Sequence, residues 1–250
     1  RNVWDAAVML QTLVGRDPRD SSTRIDPETN FLEEIGKDIA GLRIGIDRTY
    51  CATDTDSEMS QALFKSIELL EQNGAVILEL TAPQIYDAAE HWMTICAVDA
   101  LISHQQFYPK NKNDYGPVFL SLLEYGAEVS SLDYARATRQ RQATNALINE
   151  LLSGVDVMVC PGMPNPAPKI ADVPPQSVSA IEEIPPLVRF AAPTNFSGHP
   201  SITLINGFTE AGLPTSMQFI GKKGDESSLI KAASAYEKMT NWHKIRPLLD

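Results

Sequence analysis

Two apolar runs near the carboxyl end, Pro200–Ile205 and Pro214–Ile220, constrain the fold most. Each has the length of a strand, and between them lies NGFTEAGL, where Asn206-Gly207 and Ala211-Gly212 take positive φ at little cost. The pair reads as two strands joined by a loop and approached through a polar corner, Thr194-Asn195-Phe196-Ser197-Gly198. A polar corner before a buried strand is a common place for ligand-facing groups. On local physics alone the leading reading is a plain core hairpin with a capped approach.

A second constraint comes earlier. Leu42–Asp47 is a short apolar strand, and Thr55-Asp56-Ser57-Glu58 has the form of a capping box. It opens a helix whose face carries Met59, Ala62, Leu63, Ile67 and Leu70 and which stops near Asn73-Gly74. Val76–Leu80 is the next strand. Strand, helix and strand in about 40 residues make a βαβ unit, with parallel strands and a right-handed crossover. A parallel unit and a hairpin in one chain predict an α/β fold with a mixed sheet.

The remaining segments are mostly helical. Asn2 to Val14 carries an apolar stripe with no cap before it and stops at Gly15; with Arg1 first, the sequence reads as starting inside something longer. A polar turn, 15–22, follows. Ile85 to about Gln106 is apolar on most sides, so it is expected to be covered on more than one face, with His91 and Asp99 as satisfied buried polar groups or as catalytic ones. Tyr108–Pro117 reads as a loop, Phe119–Val129 as a short helix, and Ser130–Asp133 as the cap of a long helix to Leu152. Val155–Cys160 is a third buried strand. Pro161–Pro193 then holds nine of the seventeen prolines, with apolar residues spread through it. It reads as a stiff wall over the carboxyl end of a strand, where open α/β sheets place ligands. Ser227–Met239 is the final helix.

Composition excludes several function classes. A net charge of −11 repels phosphate backbones, and Arg136, Arg139 and Arg141 form only a small basic patch, read as a solvated helix face, so no nucleic-acid partner is expected. No apolar run approaches the ~20 residues of a membrane span. Cys51, Cys96 and Cys160 are few, odd in number and far apart, which points to a reducing, cytoplasmic setting and away from disulfides or a metal site. No glycine-rich phosphate loop, HExxH or GxSxG occurs, and no cofactor is implied. Ser197 is two residues from His199, but a nearby histidine does not by itself make a nucleophile.

Three stretches together resemble the amidase signature family, serine amide hydrolases with a Ser–cis-Ser–Lys triad. The first is Arg1-Asn2-Val3-Trp4-Asp5-Ala6-Ala7 with Gly15-Arg16-Asp17-Pro18-Arg19-Asp20. The second is Tyr134-Ala135-Arg136-Ala137 leading to Val155–Pro161. The third is Pro193–Pro200 with Gly207–Gly221, trailed by Ala235-Tyr236-Glu237 and Trp242-His243. Their order spans nearly the whole chain but about the carboxyl-terminal half of the family's fold.

The resemblance implies a single partial amidase-like domain over 1–250, with an incomplete mixed sheet, a proline-rich pocket wall at 161–193 and a strand pair and helix in 194–250. It implies hydrolysis of a carboxamide to acid plus ammonia or amine, with a small-molecule amide as substrate. The lysine and both serines belong to a part of the family pattern that this sequence does not match. Ser21-Ser22, Ser130-Ser131 and Ser227-Ser228 are the adjacent serine pairs, and none has signature-type glycines. What the resemblance leaves to this chain is an acyl-side pocket. Pro161, Gly162, Met163, Phe190, Thr194 and Asn195 are its expected wall, with Tyr115 and Tyr125 from the loop and helix before it. An amino-terminal half or a second copy is the expected macromolecular partner. A non-catalytic binding or interaction module is the alternative. The tRNA-dependent amidotransferases of the family carry an acid before the P-x-N corner. Leu187-Val188-Arg189-Phe190 has none, which leans toward a general amidase. Ser216 stands where the family usually has glycine.

Overall fold

A computed structural model describes residues 2–21, 23, 29–81, 85, 88–170 and 186–247. Its centre is one five-stranded sheet in the order β2-β1-β3-β5-β4. β1 (Arg43–Ile46), β2 (Val76–Glu79) and β3 (Val157–Pro161) are parallel. β4 (Ser201–Phe208) and β5 (Pro214–Gly221) form a hairpin that joins β3 antiparallel, with Cys160 opposite Gln218. The mixed α/β architecture expected from the βαβ unit and the hairpin is therefore present.

Two layers of helices cover the sheet. α1 (Val3–Leu13), α3 (Ser57–Gln72) and α8 (Glu226–Met239) belong to one layer. Leu63, Ile67, Leu229 and Ile230 of this layer share a core with Ile44, Val157, Met217 and Phe219 of the sheet. The other layer is α4 (Ala88–His104), α5 (Pro117–Glu128), α6 (Ser131–Ser153) and the six-residue α7 (Ala192–Ser197), packed on one another. A one-turn helix, α2 (Arg48–Ala52), follows β1.

Several local expectations need correction. α1 does have a cap: Asn2 Oδ1 accepts from the Asp5 amide at 2.7 Å, and Asp5 Oδ2 accepts from the Asn2 amide at 3.3 Å. A short amide side chain one residue before the helix suffices, and the apolar stripe obscured it. At α3 the cap is Asp56 rather than Thr55, because the Asp56 carboxylate accepts from the Glu58 amide at 2.8 Å. Glu58 is thereby released to accept the Glu210 amide in the hairpin turn, at 2.6 Å.

The hairpin loop is shorter than the glycine spacing suggested. β4 runs on through Asn206-Gly207 with a register shift, and the turn is Thr209–Leu213, closed by Thr209 N–H to Leu213 O at 2.8 Å. Asn206 is buried at that bulge, where its Oδ1 accepts from Thr215 Oγ1 at 2.8 Å. The polar corner is helical: α7 ends at Gly198, whose φ of 76° closes the turn without the strain a side chain would add. Asp99 is exposed on α4 rather than buried. Of the proline-rich stretch, 171–185 lies outside the described residues, as does Ser22.

Candidate active-site wall

Register sorts the hairpin side chains onto two faces. Cys160 and Met158 share a face with Gln218 and Ile220, while Val159 shares the opposite one with Phe219. Gly221 lies against Leu229 of α8, so the Phe219 face carries the α3–α8 layer. On the other face Gln218 Nε2 donates to the Phe190 carbonyl at 3.0 Å and meets Cys160 Sγ at 3.5 Å. One buried amide thus ties the end of β3 to the segment that leads into α7. Burial pushes the Cys160 thiol up to about 12, so it is not a nucleophile at neutral pH.

The segment before α7 is clamped by Arg189. This guanidinium is buried, donates to the backbone carbonyls of Thr53 and Tyr50 (3.1 Å to the latter), and lies over the Tyr50 and Phe190 rings. Tyr50 Oη returns a hydrogen bond to the Arg189 carbonyl at 2.7 Å. A planar fork with five donors suits this double carbonyl contact, as a lysine would not. In the sequence, position 189 stands out only for lacking an acid. The nearest local signal is an arginine beside an aromatic in an otherwise apolar run.

The expected wall residues fall into three groups. Pro161 is buried at the end of β3, and Met163 is exposed just beyond it. Gly162 donates to Ser216 O at 2.9 Å, and a Cβ there would come within about 3.0 Å of Thr203 Cγ2 and closer still to Ser216 Oγ. The backbone of β3 therefore leaves the sheet pressed against the hairpin, and Ser216 occupies the space a side chain at 162 would need. Phe190 is 1% exposed, edge-on to Tyr50 at 5.1 Å between ring centres. The enclosed space beside it, bounded by Tyr50, Cys160 and Pro193, is about 20 Å³. That is room for roughly one water, not a substrate.

Thr194 is also buried, with Oγ1 donating back to Ala191 O at 2.9 Å. Asn195, next to it, is exposed. The tyrosines belong to the other helices. Tyr125 Oη meets Thr94 Oγ1 at 3.2 Å, and Tyr115 Oη meets His104 Nδ1 at 3.1 Å. Thr94 and His104 are about 15 Å apart along α4, so the two tyrosines mark different ends of that helix. Gln218 thus ties Phe190 to Cys160, the neighbour of Pro161, whereas Tyr115 and Tyr125 are held apart.

Ser197 does contact His199. Its Oγ lies 2.8 Å from Nδ1, and Nε2 lies 3.2 Å from Asn149 Oδ1 on α6. Both residues are buried, and desolvation lowers the imidazole to about 4. So weak a base takes little of a serine proton near neutrality. The line hydroxyl–imidazole–amide instead pins α7 to α6, where Arg141 Nε also donates to Phe196 O at 2.9 Å. Asn149 is 50 residues from His199, so no local motif announced this pair.

Among the described residues no three or more His, Cys, Asp or Glu side chains gather as a metal site. No helix among them is long and apolar enough to cross a membrane.

A mixed sheet between two helical layers, with a proline-rich segment and a hairpin meeting at the end of β3, defines the class as an α/β protein of the amidase-signature fold. The chain belongs to the amidase family, whose sequence model matches residues 1–230. It is 30% identical over 253 residues to an amidase of Pseudomonas putida, covering 100% of this chain and 54% of the relative. It is 29% identical to a glutamyl-tRNA(Gln) amidotransferase chain of Thermodesulfovibrio yellowstonii, covering 99% of this chain and 55% of that protein. Among solved structures, a bacterial aryl acylamidase of the amidase signature family superposes with a TM-score of 0.84 at 23% identity, over 99% of this chain and 55% of the other. The chain spans about half the length of the relatives it matches.

Proposed function

We propose that this chain is the carboxyl-terminal part of an amidase-signature enzyme that hydrolyses the C–N bond of a non-peptide carboxamide to an acid plus ammonia or an amine. The observation that carries this reading is coverage: the whole chain aligns with amidases, yet over only about half their length. On this reading 1–250 is one partial domain. Pro161, Gly162, Met163, Phe190, Thr194 and Asn195, with Tyr115 and Tyr125, contribute the acyl-side wall. The Arg189 clamp and Gln218 hold that wall in place.

The reaction runs through an acyl-enzyme: a serine oxygen attacks the carbonyl carbon, the C–N bond breaks as nitrogen takes a proton, and water releases the acid. An ordinary lysine is protonated at neutral pH, so the base must be desolvated. Every described lysine here is at least partly exposed, which supports the reading that the triad lysine lies outside this chain. Ser130 is engaged as the α6 cap, its Oγ accepting from the Asp133 amide at 3.1 Å, which supports the same view of the serines. We therefore expect the 250-residue chain alone to be inactive. The lack of an acid in Leu187–Phe190 supports a general amidase over a tRNA-dependent one. Three free cysteines agree with a reducing, cytoplasmic setting.

A second reading, a non-catalytic binding or interaction module, is favoured by one specific observation. Met9 and Leu13 of α1, four residues apart on one helix face, are each more than half exposed, apolar surface that invites a partner protein or a second copy. The test of activity is a fluorophosphonate serine probe with an ammonia-release assay on the chain. No labelling and no turnover are expected. Stoichiometric labelling of one serine, with turnover lost on its mutation, would overturn the proposal. Light scattering separates the second reading: a clean monomer with no missing mass points to a self-sufficient module.

A further inference from the structure

A large cleft among the described residues lies away from the wall just described. It holds about 780 Å³ between α3, the end of β4 and the segment after α8, and so sits in the layer that covers the Phe219 face. Its polar floor is Asn206. This side chain is 95% buried, its Oδ1 is occupied by Thr215, and its Nδ2 has no hydrogen-bond partner among the described residues. Tyr236 Oη and Ser66 Oγ, also on the lining, satisfy each other at 3.0 Å, so their polar atoms are engaged while the Asn206 donor is not. Phe208 and Trp242 form an apolar side, ring centres 6.0 Å apart and tilted by 65°.

An unpaired buried N–H at the floor of an open cleft costs free energy until an acceptor reaches it. The acceptor must be carried by an apolar body to fill the aromatic side. Charge argues for a neutral one: Glu58 and Glu210 share the lining with Lys65, so there is no cationic excess to hold an anion. We propose that this cleft is a second ligand site, which binds a small neutral aryl or alkyl carbonyl compound with its oxygen on Asn206 Nδ2 and its body against Phe208 and Trp242. The site is independent of the proposed hydrolysis, because it lies in the helical layer on the opposite face of the sheet from Gln218 and Phe190.

The test uses the full chain and two probes of matched shape, acetophenone and ethylbenzene, neither of which is an amide. Binding is followed by saturation-transfer NMR and by the Asn206 side-chain amide resonances. Acetophenone is expected to bind about tenfold more tightly than ethylbenzene, the worth of satisfying one buried donor. It should shift the Asn206 amide pair, while ethylbenzene leaves it in place. Asn206→Leu should erase the preference, and Gln61→Trp, an exposed rim position on α3, should block both probes. Equal affinity for the two probes, or no binding, overturns the proposal. So does binding that survives Gln61→Trp. If Asn206→Leu fails to fold, the amide shift and the Gln61→Trp variant decide alone.

Discussion

α3 and α8 bury Leu63, Ile67, Leu229 and Ile230 in the same cluster as Met217 and Phe219 of the sheet, whereas α4 and α7 meet α6 through Ala88, Ile95, Ala137 and Phe196, a separate and much smaller group. The first layer is held by apolar area. The second shares that core through Ile148 and Leu152 of α6 and through Phe190, and adds polar fastenings: the Gln218 contact to Phe190 O, the Arg189 clamp, Arg141 to Phe196 O, and the Ser197–His199–Asn149 line. Apolar burial tolerates small shifts because it has no direction, while hydrogen bonds fix position and are costly to leave unmade. The expected pocket wall lies in the directional half. The difference teaches that the sheet with α3 and α8 is a scaffold, and that the 186–199 segment is set on it by geometry.

The contrast can be broken most forcefully in the scaffold. Phe219→Ala should cost about 3–5 kcal/mol by emptying a site in the shared core. Urea denaturation should show one cooperative transition at a lower midpoint. Two separated transitions, with the helical layer melting apart from the sheet, would show that the layers are not one unit.

A smaller effect is expected in the second layer. Gly126 of α5 lies against α4, and a Cβ there would meet the Ala97 carbonyl carbon at 2.8 Å. Gly126→Ala should cost about 1–3 kcal/mol through overpacking against backbone that cannot rotate away. Hydrogen exchange should speed up in α4 and α5 more than in β3 and β5. Equal acceleration everywhere would erase the distinction between the layers.

The subtlest effect is in pH. His199 is held neutral, its folded value lowered to about 4 by burial first and by the Lys223 charge second. The unfolded chain therefore binds a proton at 199 before the folded one does. This contribution to stability is complete above about 6.5 and is lost progressively as the pH falls toward 4. The stability difference between the native chain and His199→Gln should be flat above pH 7 and shrink between pH 6.5 and 4. A constant difference across that range would remove His199 from the fastening.

Much of the scaffold was legible. Leu63, Ile67 and Leu70 recur at helical spacing, and the strand runs around Ile44, Val157 and Phe219 are short and rich in apolar residues, so element type follows from periodicity and the parallel pairing of β1 with β2 from the βαβ connection. The caps at Asn2 and Asp56 were less legible. Before α3, Thr53 to Ser57 are all short polar residues and only backbone direction selects Asp56 as the one whose oxygen meets the amide, while Asn2 stands alone ahead of an apolar stripe that drew attention away from it. The hairpin turn was misplaced by its glycines, because a bulge at Asn206-Gly207 uses the same permissive backbone as a turn.

The contacts within the expected wall segment were not legible: nothing near Phe190 reveals that Gln218 would take its carbonyl, or that Asn149 would complete the line to His199. Sequence alone determined the family, the mixed α/β class, the net charge of −11, and the absence of signature-type serine pairs. Those properties reside in composition and in local spacing. Tertiary structure alone decided which buried polar groups found partners, Gln218, Arg189 and His199 among them, and which did not, Asn206 above all. Hydrogen bonding acts over about 3 Å between atoms that the chain brings together from tens of residues apart, and only the folded path sets those distances.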